Sequence, residues 1–276
     1  MNHVRFVPCC LALLTAGWCC TASAEQPIFD EMPRWKGGWG FQVLEEYRTE
    51  SRLLDGDEPV GDGLTEEVHL LHVQGVYTWS KELRATLKVP VVLHAERQVL
   101  DGTDVRRETD RGLGDPTVAL PLKSYFNLDG RTGSWTFAPQ VRIPGGVSDG
   151  YDIYDRVWGA GASVGYSTET YNYHFGASSS TWIYADGDEP LEVSYHMDVG
   201  LNLHGLGSSG YLKWKTSVQH DTDSSLTVSA GPVAYWRFTD TVHGQVLYRH
   251  DFYDRQKPGL DHGDGDSFRV GVGFVF

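Results

Sequence analysis

The residues of this sequence best placed to do chemistry are charged and polar side chains that alternate with apolar ones. In the stretch 190–204, Glu192, His196 and Asp198 occupy even positions, and every odd position is apolar or aromatic. Successive side chains of a β-strand point to opposite faces, so one face of such a strand is apolar and the other carries ionisable groups. Carboxylates and imidazoles on a shared face could transfer protons, bind a metal ion or line a polar passage.

The same alternation in other stretches predicts a common polar face, which would be the interior of a closed sheet. The basic side chains on it could attract anions, or they could pair with Glu192, Asp198 and Asp251, because charges crowded into a narrow interior are usually partnered. The sequence leaves both interpretations open. The predicted pore-lining residues are Arg84, Lys88, His94, Lys123, Gln140, Arg142, Glu192, His196, Asp198, Lys213, Lys215, Gln245, Arg249 and Asp251.

Hydrolysis is the first alternative chemistry that these residue types suggest. Ser178–Ser180 supply hydroxyls, and His174, His196, His220 and His250 supply bases. A serine hydrolase also needs its nucleophile held beside an oriented base, and no recognisable hydrolase motif surrounds these residues. We therefore expect no catalytic residues and no enzyme, with a lipid-modifying enzyme kept as an alternative.

Metal binding is the second alternative. The segment Asp261–Asp266, DHGDGD, has carboxylates at the density of a calcium loop, but it lacks the EF-hand spacing and the terminal glutamate. We expect a solvated acidic loop and neither a metal nor a cofactor; the alternative is Ca²⁺ or Mg²⁺ bridging to phosphate on lipopolysaccharide. Thiolate sites are excluded after residue 24, because all cysteines precede it: Cys9, Cys10, Cys19 and Cys20.

Alternating segments separated by turn residues recur along the chain, as is typical of a transmembrane β-barrel rather than of helices. Their connections are alternately short and longer, and the longer ones are acidic. Outer-membrane barrels have short periplasmic turns and longer outer loops, so the pattern predicts an all-β antiparallel up-and-down barrel of about twelve strands with both termini periplasmic. The approximate spans are 37–50, 66–79, 83–97, 113–128, 134–146, 156–168, 171–185, 190–204, 210–221, 225–238, 241–253 and 265–276.

The two ends of the chain fit an exported barrel. Arg5, an apolar run and the small-x-small sequence Ala22-Ser23-Ala24 predict a cleaved signal peptide over 1–24, leaving 25–276 as one barrel domain. The last strand ends on Phe276 and resembles the C-terminal strand that the barrel-assembly machinery reads in bacterial outer-membrane proteins. A secreted soluble sandwich or lipocalin-like barrel is the alternative fold.

The acidity of the chain restricts its partners. The formal net charge is −14, and loss of Arg5 with the signal peptide makes it −15, which argues against nucleic acid. We expect a monomer in the bacterial outer membrane, in contact with lipid and lipopolysaccharide, whose small-molecule partner is a solute.

One motif carries a family resemblance. Residues 112–125 read GLGDPTVALPLKSY and 138–146 read APQVRIPGG, and this pair is similar to the outer-membrane MetA-pathway phenol-degradation family. The resemblance implies a channel or transporter for aromatic or other small hydrophobic compounds, with no catalytic residues. We expect Gly112 and Gly114 to let the strand bend or another backbone approach, and Asp115 to lie near the long-loop mouth.

A barrel of about twelve strands should leave a narrow lumen, since eight strands are filled by side chains and sixteen or more leave a wide channel. The sequence therefore favours passive passage of a small solute. The alternatives are an outer-membrane lipid-modifying enzyme and a closed structural or adhesive barrel whose acidic loops are the functional part.

Overall fold

The protein is described by a computed structural model over residues 35–101, 104–128, 130–146, 153–154, 156–185, 191–203, 209–222, 226–255 and 260–276. The predicted signal peptide, 1–24, lies outside the described residues. Within the described part of the chain, no helix is long and apolar enough to cross a membrane.

Alternating apolar and polar residues produce strands throughout the described chain, because each strand can present one face outward and the other inward. Every pairing between them is antiparallel. The strands are β1 (Gly38–Asp55), β2 (Glu58–Thr78), β3 (Arg84–Asp101), β4 (Asp104–Leu113), β5 (Thr117–Ala119), β6 (Leu122–Leu128), β7 (Arg131–Arg142), β8 (Gly159–Glu169), β9 (Tyr173–Tyr184), β10 (Glu192–Asn202), β11 (Gly210–Asp221), β12 (Leu226–Arg237), β13 (Val242–Arg255) and β14 (Leu260–Val275).

The sheet closes on itself. The first strand pairs with β2 on one side and with β14 on the other, so that Phe41 is in register with both Gly75 and Phe274. Because β4, β5 and β6 follow one another along one barrel strand, the fourteen segments make twelve barrel strands. The prediction of an all-β antiparallel barrel of this size is confirmed; the periplasmic placement of the termini stays a prediction.

Burial alternates along the strands as the sequence pattern predicts. On β10, Glu192 and His196 are buried, whereas Tyr195, Met197 and Val199 are each about half exposed. Aromatic side chains, among them Trp39, Trp79 and Trp135, are exposed on the outer face at the end of the barrel where β1 begins and β14 ends, which we call the terminal end. The outside is therefore a broad apolar band with aromatic residues, as in barrels that contact lipid.

Two segments predicted as loops are largely strand. Residues 51–65 form the tip of the β1–β2 hairpin, and 98–101 together with 104–112 form most of the β3–β4 hairpin. The acidic residues of these segments suggested solvent loops, but cross-strand ion pairs accommodate them in a strand pair. Arg97 and Glu108 form one such pair, with a nitrogen and an oxygen 2.8 Å apart. These two hairpins thus continue the barrel wall beyond its apolar band.

One barrel strand is interrupted. Among the described residues, β4 pairs with β3 alone, β5 pairs with β3 and β7, and β6 pairs with β7 and makes one isolated bridge, between Leu122 and Leu83. The break follows Gly112, whose φ of 131° belongs to a region that side-chain-bearing residues rarely adopt. Beside this break runs the connection from β7 to β8, and we call its described residues, 143–146, 153–154 and 156–158, the strap.

Candidate functional site

The barrel interior is lined by nearly all the polar residues predicted for it. Arg84 and Lys88 are fully buried, and Gln140, Arg142, Glu192 and His196 are also buried on the inner face. The partly exposed members of the inner face are Lys123, Asp198, Lys213, Lys215, Gln245, Arg249 and Asp251. Their inward direction follows from strand pairing; a role in lining a passage stays a prediction.

His94 is the exception, and the prediction is wrong there. The β2–β3 register shifts between His69 and Leu70, so that His94 lies opposite His69 and is exposed. An extra residue in one strand reverses the direction of the side chains beyond it. The inward residue after this bulge is Ala95, which is fully buried.

Two basic residues on the β7–β11 side of the interior, Arg142 and Lys213, lie close to acids. Asp198 Oδ1 lies 3.0 Å from Lys213 Nζ and 2.9 Å from His174 Nε2. Farther from the terminal end on the same wall, Arg142 lies 3.9 Å from an oxygen of Glu192. The same oxygen accepts a 2.7 Å hydrogen bond from the Tyr184 hydroxyl. For Lys213 and Arg142, the paired interpretation is therefore the correct one.

Short polar contacts link neighbouring strands on this wall. The hydroxyls of Ser180 and Ser194 are 2.6 Å apart, and Gln140 donates to the Ser163 hydroxyl at 2.7 Å. His196 Nδ1 lies 2.9 Å from the Ser217 hydroxyl, while its Nε2 is buried with no hydrogen-bond partner among the described residues. These contacts fix polar side chains along the wall.

Sequence reasoning missed a second ionic cluster, on β1, β2 and β14. Glu46 Oε2 accepts from Arg269 and lies 2.7 Å from His72 Nε2, and all three side chains are buried. The signal was obscured because Glu45 and Glu46 are adjacent, so each face of the strand receives one carboxylate. Alternation alone cannot then say which face is polar.

An apolar patch covers the inner wall on the β2–β3 side, near the end of the barrel away from the termini. Val68, Leu70, Val92 and Ala95 form it, and Ile153 and Tyr154 of the strap pack against it. The Asp110 carboxylate accepts a hydrogen bond from the Ile153 amide at 3.2 Å. The strap thus enters the interior instead of standing above it.

The motif that carries the family resemblance anchors the strap. Asp115 is buried, and its two oxygens accept from the backbone amides of Gly145 at 2.7 Å and Arg156 at 3.1 Å. A Cβ on Gly114 would lie 2.4 Å from the Tyr154 ring, and one on Gly145 would lie 2.3 Å from the Gly114 carbonyl oxygen. The expected close approach is confirmed, and its partner is the strap.

Above the apolar band, the β3–β4 hairpin carries a charged cluster. Partial burial raises the pKa of the Glu108 carboxyl, but hydrogen bonds and charges from Arg97 and Arg106 outweigh that effect and hold the pKa below its ordinary value. Glu108 is therefore ionised over a wider pH range than a free glutamate. The ion pairs of Glu108 with Arg97 and Arg106, in the hairpin next to the strap, therefore persist over that wider pH range.

A cavity of about 260 Å³ opens at the opposite end of the barrel, beside the chain termini. The rings of Tyr211 and Tyr235 stack in its wall with centroids 4.8 Å apart, and Trp35, Arg237 and His243 complete that wall. The interior therefore has a strap on an apolar wall at one end and an aromatic, partly charged mouth at the other.

Two carboxylates of the acidic segment Asp261–Asp266 already have partners. Asp264 lies 2.9 Å from Arg52, and Asp266 Oδ1 accepts from the Tyr248 hydroxyl at 2.5 Å. Among the described residues, no group of three or more potential metal ligands is assembled.

Comparison with solved structures identifies the fold. No protein-family model and no curated protein sequence matches the chain. The structure is similar to the COG4313 outer membrane channel from Pseudomonas putida F1, with a TM-score of 0.71 and 14% identity, covering 91% of this chain and 100% of that one. The KdgM porin in complex with disordered oligogalacturonate (TM-score 0.48, 9% identity, covering 86% and 99%) and the translocator domain of the autotransporter NalP from Neisseria meningitidis (0.46, 11%, 90% and 92%) resemble it less. The chain therefore has the closed barrel fold of an outer-membrane channel.

Proposed function

We propose that the mature chain, residues 25–276, is a single-domain channel of the bacterial outer membrane that passes a small solute without energy coupling. The observation that carries this proposal is a polar, hydrogen-bonded interior enclosed by a closed barrel whose outer face is apolar. Such an arrangement places the polar interior across a lipid layer. The similar solved structure is an outer-membrane channel, which supports the same conclusion.

The solute that suits this interior is small and largely apolar, such as an aromatic compound. The strap lies on the apolar patch of Val68, Leu70, Val92 and Ala95, so a solute that displaces Ile153 or Tyr154 would meet apolar side chains first. Beyond that patch, Arg84 and Lys88 are buried on the inner wall. An apolar entrance followed by a charged interior favours a hydrophobic molecule over an ion at the point of entry.

The direction of the barrel follows the rule that outer loops exceed periplasmic turns in length. The strap would then face the cell exterior, and the aromatic mouth and both termini would face the periplasm. Phe276 is largely exposed, and its amide donates to the Trp39 carbonyl at 2.8 Å. That position leaves the side chain accessible to the barrel-assembly machinery, and the apolar band to lipid and lipopolysaccharide.

The experiment that tests this function measures transport by refolded 25–276 in two ways. Planar bilayers report ion conductance, and proteoliposomes report uptake of a small aromatic compound such as toluene. We expect small conductance and measurable aromatic uptake, with both increased when Ile153 and Tyr154 are changed to Ser. A folded barrel that is silent in both assays, including in this strap variant, would rule out the channel.

A further inference from the structure

A small cavity lies in the inner wall formed by β10 to β13. Its volume is about 10 Å³, which suits one monatomic ion or one water molecule and is too small for an organic solute. Three basic side chains, those of His196, Lys215 and Arg249, line it together with Ser217. None of the described residues that line it is acidic. The cavity is therefore basic, and it is separate from both the strap and the aromatic mouth.

The cavity adjoins a gap in the ladder between β12 and β13. Gly231 and Pro232 have no ladder partner on β13 among the described pairs, and Pro232 has no amide to donate. Gly231 is opposite Lys215 on β11 and lines the cavity with it. Backbone pairing therefore contributes less at this place, and a ligand held by side chains of several strands would add contacts that the ladder lacks.

Arg249 is the strongest indication of a ligand. Its Nε is buried, and no hydrogen bond or ion pair joins its side chain to another residue in the part of the chain that the structure describes. A guanidinium is always charged, and a charge inside a protein is costly unless a group of opposite charge binds it. Arg249 on the cavity wall therefore calls for an anion.

The neighbouring carboxylates do not bind Arg249. The charges of Asp251 and Glu46 act on it, but Glu46 is already paired with the other members of the cluster on β1, β2 and β14. Asp251 is turned toward Glu50, since both side chains approach within 2.9 Å of the position that a Cβ on Gly265 would take. The positive charge on the cavity wall is thus left for a ligand.

His196 supplies a second donor. Its side chain is 4% exposed, its Nδ1 lies 2.9 Å from the Ser217 hydroxyl, and its Nε2 is buried with no partner among the described residues. When the hydroxyl donates to Nδ1, Nε2 carries the proton and can donate in turn. Lys215 adds charge at the same cavity; Asp198, which is opposite it, is already bound by Lys213.

We infer that this cavity binds one monatomic anion, chloride, between Arg249 and His196, with Lys215 adding positive charge. A water molecule could accept a hydrogen bond from both donors, but it would leave the guanidinium charge without a counter-charge. The anion supplies that charge and links β10 to β13 beside the gap in the ladder. This site goes beyond the proposed channel, because equilibrium binding of chloride requires neither transport nor a hydrophobic solute.

The linewidth of the chloride NMR signal tests the site in refolded 25–276 in detergent micelles, because exchange with a slowly tumbling site broadens the signal. We expect saturable broadening. Arg249→Gln should weaken chloride binding at least about tenfold, since it removes a charged donor, and His196→Leu, which removes a neutral one, about threefold. Arg131→Gln is the matched control at an exposed arginine and should change nothing.

Competition in the wild-type protein at constant ionic strength is a second test that needs no variant. Bromide should displace chloride, whereas sulfate, which is too large for this cavity, should not. Broadening that never saturates, that sulfate removes as well as bromide does, or that is unchanged in a folded Arg249→Gln barrel would overturn the proposal. A barrel that binds chloride as expected but is silent in both transport assays would contradict the channel and leave the anion site in place.

Discussion

The wall formed by β8 to β11 and the wall formed by β2 to β4 are built differently. The first has uninterrupted pairing, and its inner side chains bind across neighbouring strands, as Ser180 binds Ser194. The second has a register shift, an interrupted strand and an apolar inner patch covered by the strap. The regular wall is stabilised by many local contacts, whereas the irregular wall depends on a few residues distant in sequence.

This difference concerns function as well as stability. A side chain fixed by its strand neighbours on the regular wall is hard to displace, because each neighbour is fixed in turn. The strap is anchored chiefly through two carboxylates, Asp110 and Asp115, and through close approaches at Gly114 and Gly145. If one region opens for a solute, it is the strap, and substitutions there should have the larger effects.

The largest effect is expected at Gly145. A Cβ there would lie 2.3 Å from the Gly114 carbonyl oxygen, which is backbone and cannot move aside alone. We expect Gly145→Ala to lower the free energy of unfolding by about 1–3 kcal/mol, measured by urea titration in lipid vesicles, and to raise conductance in planar bilayers.

Gly75→Ala is the matched control for this substitution. Its added Cβ would meet nothing within 4 Å, so stability and conductance should be unchanged. If the two variants behave alike, the strap is not held by the close approach at Gly145, and the contrast between the two walls fails at its strongest point.

Asp115 should give the next largest effect. Asparagine keeps one acceptor and replaces the other with a donor, which would face the Arg156 or the Gly145 amide. We expect Asp115→Asn to lower the free energy of unfolding by about 1–3 kcal/mol. We also expect it to speed hydrogen exchange of the Gly145 and Arg156 amides. Asp240→Asn, in an exposed turn at the terminal end, is the control and should change neither quantity. Unchanged exchange at both amides would show that the anchor lies elsewhere.

The regular wall was the more predictable of the two from sequence. The predicted spans 190–204 and 210–221 agree with β10 and β11 to within two residues at each end, because their alternation is continuous. Glu192, His196, Asp198 and Lys213 all face inward as expected. Local side-chain patterning is sufficient where pairing has no register shift.

On the irregular wall, alternation in the sequence does not predict side-chain direction or long-range contacts. The bulge between β2 and β3 reverses the direction of His94, and no residue type marks its position. The packing of Ile153 and Tyr154 on Val92 and Ala95 joins residues about sixty apart in sequence, which alternation does not report. The Gly-Leu-Gly-Asp motif did indicate a special site, but its partner, the strap, is visible only in three dimensions.

Ion selectivity tests whether solute passage follows the regular wall. Changing Lys213 and Lys215 together to Glu adds negative charge beside Asp198 on the inner face. We expect the reversal potential in a salt gradient to shift toward cation selectivity. Lys81→Glu, in an exposed turn at the terminal end, should leave it near the wild-type value. Unchanged selectivity in a conducting Lys213/Lys215 variant would mean that ions take a path away from this wall.

The smallest effect is expected inside the regular wall. Ser180→Ala removes one hydroxyl of the 2.6 Å Ser180–Ser194 contact but leaves the backbone ladder between β9 and β10 intact. A neutral hydrogen bond of this kind contributes about 0.5–1.5 kcal/mol, so the midpoint of urea unfolding should fall slightly, and conductance should not change. A loss as large as that of Gly145→Ala would mean that this wall also depends on single residues, and that both walls are stabilised in the same way.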